Sequence, residues 1–168
     1  MLVSMTVRNI ALIENLHIEF TPGMQVLSGE TGAGKSILID SINLVLGERA
    51  DRGLIRSGCE RASVEALIDI SGLDRVKELL SEQQLEAEGD LLSIYREITH
   101  GERNICRVCG TIVPLALLKS LSELLVDVHG QHEHQSLLKE SKQKDILDTF
   151  CDESLNSLKQ QLKITFKE

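Results

Sequence analysis

Aromatic side chains are nearly missing from this 168-residue chain, which has no Trp, one Tyr and three Phe. Its interior must therefore be aliphatic, and capture of nucleic-acid bases on an aromatic platform is disfavoured. No apolar run approaches the roughly 18–20 residues that cross a bilayer. The opening stretch has no basic head leading into an apolar core, so a secretory leader is not expected. Positive charge is also in deficit, with 18 Lys+Arg against 26 Asp+Glu and a net charge of −8. That balance argues against a surface that coats nucleic acid generally, so any such contact would be local. Four cysteines, Cys59, Cys106, Cys109 and Cys151, in a chain without a leader read as reduced thiols rather than a disulfide framework. What remains is ordinary: 42% hydrophobic and 26% charged residues, enough to build a core and to exclude disorder as the main state.

Period-two alternation marks Met5–Ile10 and Leu16–Phe20 as an antiparallel pair. Thr21-Pro22-Gly23 reads as a turn, and Met24–Ser28 as the next strand. A helix is expected over Ser36–Leu46; it is apolar on most sides, which implies burial between layers. Glu48–Gly58, punctuated by glycine and arginine, reads as an ordered loop. Ser63–Ile70 alternates again, and Leu73–Gln84 reads as a short helix. Leu92–Thr99 and Asn104–Cys109 form a hairpin, and Pro114 opens a Leu-rich helix reaching Val128. After His129–Gln135 the sequence is helical to Glu168. Its thin stripe of Ile146, Phe150, Leu155, Leu158 and Leu162 calls for a partner, as in a coiled coil.

The strongest chemical signal is Gly29-Glu30-Thr31-Gly32-Ala33-Gly34-Lys35-Ser36, a full G-x-x-x-x-G-K-[ST] between an expected strand and an expected helix. Glycines let successive backbone N–H groups turn inward and cradle phosphates. The helix that follows adds its unpaired N–H groups and the positive end of its dipole. Lys35 supplies a point charge for the β- and γ-phosphates, and the Ser36 hydroxyl a ligand for Mg²⁺. The bland alternative is a glycine turn that only starts a helix. A triphosphatase also needs a metal-binding carboxylate at a strand end. The one candidate is Asp127, after Leu124-Leu125-Val126, and the helical spacing of Leu117–Val128 argues against a strand there.

Three segments then carry a resemblance: VRNIALIENLHIEF, GMQVLSGETGAGKSILIDSINLVLGERA and LLVDVHGQHEHQSLL. In this order they are similar to RecN, a bacterial DNA-repair family in the SMC-like branch of ABC-type ATPases. The resemblance implies an α/β P-loop NTPase fold: the N-terminal half of an ABC/SMC-like head over 1–138, with an antiparallel β segment, and the start of a coiled-coil helix over 139–168. It implies ATP and Mg²⁺ as cofactors, recombinational repair of double-strand breaks as the process, and a cytoplasmic, nucleoid-associated location. Gly29 to Ser36 would bind the triphosphate. Gln131 would be the glutamine-loop residue, acting on Mg²⁺ or the attacking water, with Gln135 as the fallback register. Implied partners are the C-terminal half of the same head, a second head in an ATP-dependent dimer, and DNA through the full assembly, with no membrane. The signature motif and the strand ending in Asp-Glu are missing and would lie beyond residue 168, so hydrolysis would need them.

Weaker signals have simpler explanations. His129, His132, Glu133 and His134 suggest a metal cluster, but the glutamine-loop reading already accounts for the string. Cys106-Arg107-Val108-Cys109 has zinc-knuckle spacing without a second pair, so these read as strand cysteines. Arg49, Arg52 and Arg56 are candidates for phosphate contact, against solvated loop charge. Asn9 is either a nucleotide neighbour or a turn residue. Two competing readings stay open: a self-contained small P-loop kinase or NTPase using Asp127, which needs a strand at 123–127, and a non-enzymatic coiled-coil interaction fragment.

Overall fold

The computed structural model describes residues 1–28, 34–101 and 103–126, with isolated positions 158, 162, 165 and 166. The chain divides into two units, Met1–Val126 and Asp127–Glu168. The first is an antiparallel sheet carrying helices. Its strands are β1 (Leu2–Ile10), β2 (Ile13–Glu19), β3 (Arg61–Asp69), β4 (Leu91–Thr99), β5 (Ile105–Val108) and β6 (Thr111–Ile112). Its helices are α1 (Lys35–Val45), α2 (Asp74–Glu82) and α3 (Leu115–Leu125). The strand order is β2-β1-β3-β4-β5-β6, and every neighbouring pair is antiparallel.

Alternation places one face of this sheet in the core. Met5, Ala66, Ile94 and Val108 stand in one row across four strands, and Val7, Val64, Arg96 and Cys106 in the next. All eight side chains are buried, and Leu44, Val45, Val76, Leu80, Leu118 and Leu121 of the helices join the same cluster. Each such aliphatic side chain contributes about 1.5–3 kcal/mol by leaving water, so the core needs no ring. Arg96 is the exception. It is 3% exposed, and its Nη1 donates to Cys106 Sγ, while its Nε has no partner among the described residues.

The opposite face is polar, with Thr6, Glu65, Tyr95 and Arg107 in register. Tyr95 donates its hydroxyl to Glu97 at 2.7 Å, and the Arg107 guanidinium lies 5.5 Å from its ring centroid. Burial, reinforced by the Glu97 hydrogen bond, pushes the phenol above its ordinary range.

Most expected elements are present within a residue or two. The Leu-rich helix starts after Pro114 at φ −65°, where a fixed φ and a missing N–H cost nothing. Cys106 sits in the core on β5, and Cys109 occupies the tight β5–β6 turn at φ +49°; both thiols are free. The short β6 adds an edge the sequence pattern did not suggest.

Two expectations are corrected. Met24–Ser28 is not a strand: Met24 is 91% and Val26 73% exposed. A strand exists only by pairing, and all six strands of the first unit belong to a sheet that does not extend to this segment. Nor is α1 buried all round. Ser41, Leu44 and Val45 are buried, whereas Ile39 is 48% exposed, on a helix that packs against β1, β3 and β4.

In the C-terminal unit, Leu158, Leu162 and Thr165 are helical, and the Phe166 N–H donates to the Leu162 carbonyl at 3.0 Å. Ile146, Phe150 and Leu155 of the expected stripe lie outside the described residues, as does Cys151.

Candidate nucleotide site

Helix α1 begins where the phosphate-loop motif ends. Gly34 is its N-cap at φ −95° and ψ −47°, no side chain caps the helix, and its first turn carries no acidic residue. The positive end of the helix dipole at this terminus favours an anion. Lys35 is half-buried and Ser36 exposed at the same end.

Gly34 is informative in another way. Its backbone angles suit any residue, and an added Cβ would meet nothing within 4 Å. Nothing in the described chain demands glycine here. A ligand approaching the backbone closely would, and a phosphate on the helix N-terminus is such a ligand. The residues present therefore fit the phosphates of a nucleotide. Gly29, Glu30, Thr31, Gly32 and Ala33 lie outside the described residues, as do Gln131, Gln135, Asp127 and the His129–His134 string.

The three loop arginines separate. Arg56 is structural: its backbone N–H donates to the Asn9 carbonyl at 2.9 Å and its Nη1 to the Leu12 carbonyl at 2.7 Å. The Ala11 N–H donates to the Leu54 carbonyl at 2.8 Å, and Ile10 bridges Ile55. These bonds hold the β1–β2 turn, where Asn9 and Ala11 adopt left-handed φ of 54° and 47°. Asn9 takes its left-handed φ near the end of β1, in a conformation its type tolerates. Arg49 lines a cleft beside α1 with Asp40, Asn43 and Asp51, which makes it part of a mixed-charge edge. Arg52 opens a short 3-10 turn whose N-cap, Asp51, accepts from the Gly53 N–H at 2.8 Å. Arg52 is exposed, as is Arg49. The clamping role of Arg56 joins residues 44 positions apart, and no local pattern announces it. Replacing Arg56 with Gln should lower stability by about 1 kcal/mol, measured by urea unfolding. An unchanged midpoint would remove the clamp.

The helical state of 123–125 contradicts the strand that the small-kinase reading requires at 123–127. Among the described residues no group of three His, Cys, Asp or Glu side chains is placed to hold a metal ion. No helix among them is long and apolar enough to cross a membrane.

Comparison with known proteins follows this geometry. The AAA domain family matches residues 4–168. The DNA repair protein RecN of Halalkalibacterium halodurans is 36% identical over 168 residues, covering 100% of this chain and 30% of that protein. RecN of Xylella fastidiosa strain Temecula1 is 39% identical over 151 residues, covering 90% of this chain and 27% of that protein. The chain thus spans under a third of these relatives. Among solved structures, a chain from work on ATP-driven dimerization and DNA-stimulated activation of SMC ATPases aligns with a TM-score of 0.61 at 17% identity, over 89% of this chain and 99% of that one. That likeness shows a fold shared with SMC ATPases.

Proposed function

The chain belongs to the AAA domain family and corresponds to the N-terminal portion of RecN DNA repair proteins, and from that premise we propose that it is the ATP-binding half of a RecN-type ATPase head. The process it serves is recombinational repair of DNA double-strand breaks. The observation that carries this reading is the uncapped N-terminus of α1 at Gly34-Lys35-Ser36, in a chain whose relatives are DNA repair proteins. Gly29, Glu30, Thr31, Gly32, Ala33 and Gly34 cradle the phosphates through their backbone N–H groups, and Lys35 sets a positive charge on the outer phosphates. Ser36 offers its hydroxyl oxygen to Mg²⁺, and Gln131 its amide oxygen to the metal or the attacking water. Bound Mg²⁺ supplies charge neutralisation across the β- and γ-oxygens.

A cradle alone does not hydrolyse. Hydrolysis also needs a metal-binding carboxylate and an oriented water, which in this reading the C-terminal half of the head supplies. In the same reading, residues 1–138 form the half-head and 139–168 begin a coiled coil. Two complete heads close on ATP, DNA is engaged by the full assembly, and the protein works in the cytoplasm at the nucleoid.

Steady-state ATP turnover tests this. The chain alone should be inactive or nearly so, and the assembled head active in a Lys35-dependent way. Robust turnover by the isolated chain, lost in Lys35→Ala, would overturn the half-site. Concentration-dependent oligomers without any nucleotide effect would favour an interaction fragment.

A further inference from the structure

Negative charge is spread unevenly over the first unit. Residues 69–90, the link between β3 and β4 that contains α2, carry seven acidic and two basic side chains, −5 of the chain's net −8. Three of the seven acids have local work. Asp69 accepts from the Ser71 N–H at 2.8 Å, Asp90 pairs with Lys77 at 2.7 Å, and Asp74 complements the dipole from the first turn of α2. Glu78, Glu82, Glu86 and Glu88 are exposed, and none of them pairs with a cation among the described residues.

The same link encloses a cleft of about 450 Å³. Helix α2 ends in a left-handed turn at Gln84, φ +55°. There the Gln84 N–H donates to the Ser81 carbonyl at 3.0 Å and the Leu85 N–H to the Leu80 carbonyl at 2.9 Å. That closure sets Leu85 in the core, and with Ile70 and Leu80, also buried, it floors the cleft. Exposed Ser81, Gln84 and Glu86 stand at the rim. Lys77 lines it too, but its ammonium is taken by Asp90. The last turn of α2 has no basic residue, and the negative end of the dipole at this terminus favours a cation. An apolar floor under a negative rim matches one kind of side chain, an aliphatic stem that ends in positive charge. Glu86 also borders a second cleft of about 160 Å³, together with Glu88 and Leu91. Two clefts sharing one carboxylate suit neighbouring side chains of an extended segment better than a single small amine.

We propose that this cleft docks a lysine- or arginine-bearing segment of a partner protein. The aliphatic stem lies on Ile70, Leu80 and Leu85, and the charge meets Glu86 and the C-terminal end of α2. Charge complementarity selects the occupant. Nucleic acid is repelled by this rim, and a second copy of the chain carries the same net −8. The inference uses no residue of Gly29–Ser36 and does not depend on the half-head reading.

The probe is a short fluorescent peptide of Lys-Leu-Ser repeats, beside the same peptide with Glu in place of Lys, titrated into the full chain. At physiological ionic strength the Lys peptide should bind with a Kd on the order of 100 µM and the Glu peptide should not bind. Affinity should fall at least about fivefold in 1 M salt, where the screening length drops to about 3 Å. Amide chemical shifts should move over Leu80–Gly89 and stay fixed around Thr6 and Glu65 on the polar sheet face. Glu86→Gln should weaken binding about threefold to fivefold at an unchanged melting temperature. Ser81→Lys, which plants a cation at the end of α2, should abolish it. Glu14→Gln with Glu19→Gln removes more charge, but from exposed positions on β2, and should leave affinity within about 1.5-fold. No binding, an equal loss in that double variant, or shifts spread over every acidic surface overturns the site. Full binding by Ser81→Lys overturns the placement in the cleft. Spermidine binding as tightly as the Lys peptide overturns the choice of a protein segment.

Discussion

Lys35→Ala in the assembled head should weaken ATP binding on the order of 100-fold, about 2.7 kcal/mol, with the fold unchanged. Lys35 is the first residue of α1, and a cation on an uncapped helix N-terminus adds to the dipole in attracting phosphate. Alanine is the better helix former, so the substitution removes the charge and spares the helix. Gly34→Ala sharpens the same argument. Its α-region angles and empty surroundings mean the folded chain accepts a methyl group. Alanine is a poorer N-cap than glycine but narrows the unfolded ensemble, and these opposing effects should leave stability within about 1 kcal/mol of the parent. ATP affinity should nonetheless fall at least about tenfold, since the methyl occupies the space a phosphate needs. Isothermal titration beside urea unfolding separates the two. Unaltered affinity in both variants would mean that the helix N-terminus is not the anion site.

Legibility in the sequence followed the range of the interactions. The alternation of Val64, Ala66, Ile68 and Ile70 is a local signal, and all four are buried as expected, the first three of them on β3. The start of α3 after Pro114 and the G-K-S end of the motif at the head of α1 were legible for the same reason. Met24–Ser28 misled because its apolar composition matches that of a strand, whereas none of the described strands pairs with it. The apolar wrap of α1 misled because composition does not say which side of a helix meets the sheet, and Ile39 lies on the exposed side. The clamping role of Arg56 escaped notice for another reason. Its partner is a backbone carbonyl, Leu12 O, and carbonyls carry no sequence signature. The buried Arg96 was equally silent, since its place in an apolar row depends on strand register.

Gly47→Ala should be the most costly substitution among the described glycines, and comparison with Gly72→Ala shows why. Both glycines have positive φ, +94° at Gly47 and +78° at Gly72, so alanine at either position bears a left-handed backbone cost of about 1–2 kcal/mol. The surroundings differ. At Gly72 an added Cβ meets nothing within 4 Å. At Gly47 it would lie 3.2 Å from Lys119 Cγ, 3.3 Å from Leu118 Cγ and 3.4 Å from the Lys119 backbone nitrogen. The Lys119 side chain can yield, but Leu118 is fully buried in the core, so relief requires α3 to move away from the end of α1. Overpacking of this kind adds about 1–3 kcal/mol. Gly47→Ala should therefore lose about 2–5 kcal/mol and Gly72→Ala about 1–2 kcal/mol. Urea unfolding of the two variants reads the difference, which isolates the α1–α3 contact from the shared backbone cost. Lys119→Ala combined with Gly47→Ala should recover part of the loss. Equal losses at the two glycines would show that α3 does not press on the end of α1, and that the helix bearing Lys35 is held by the sheet alone.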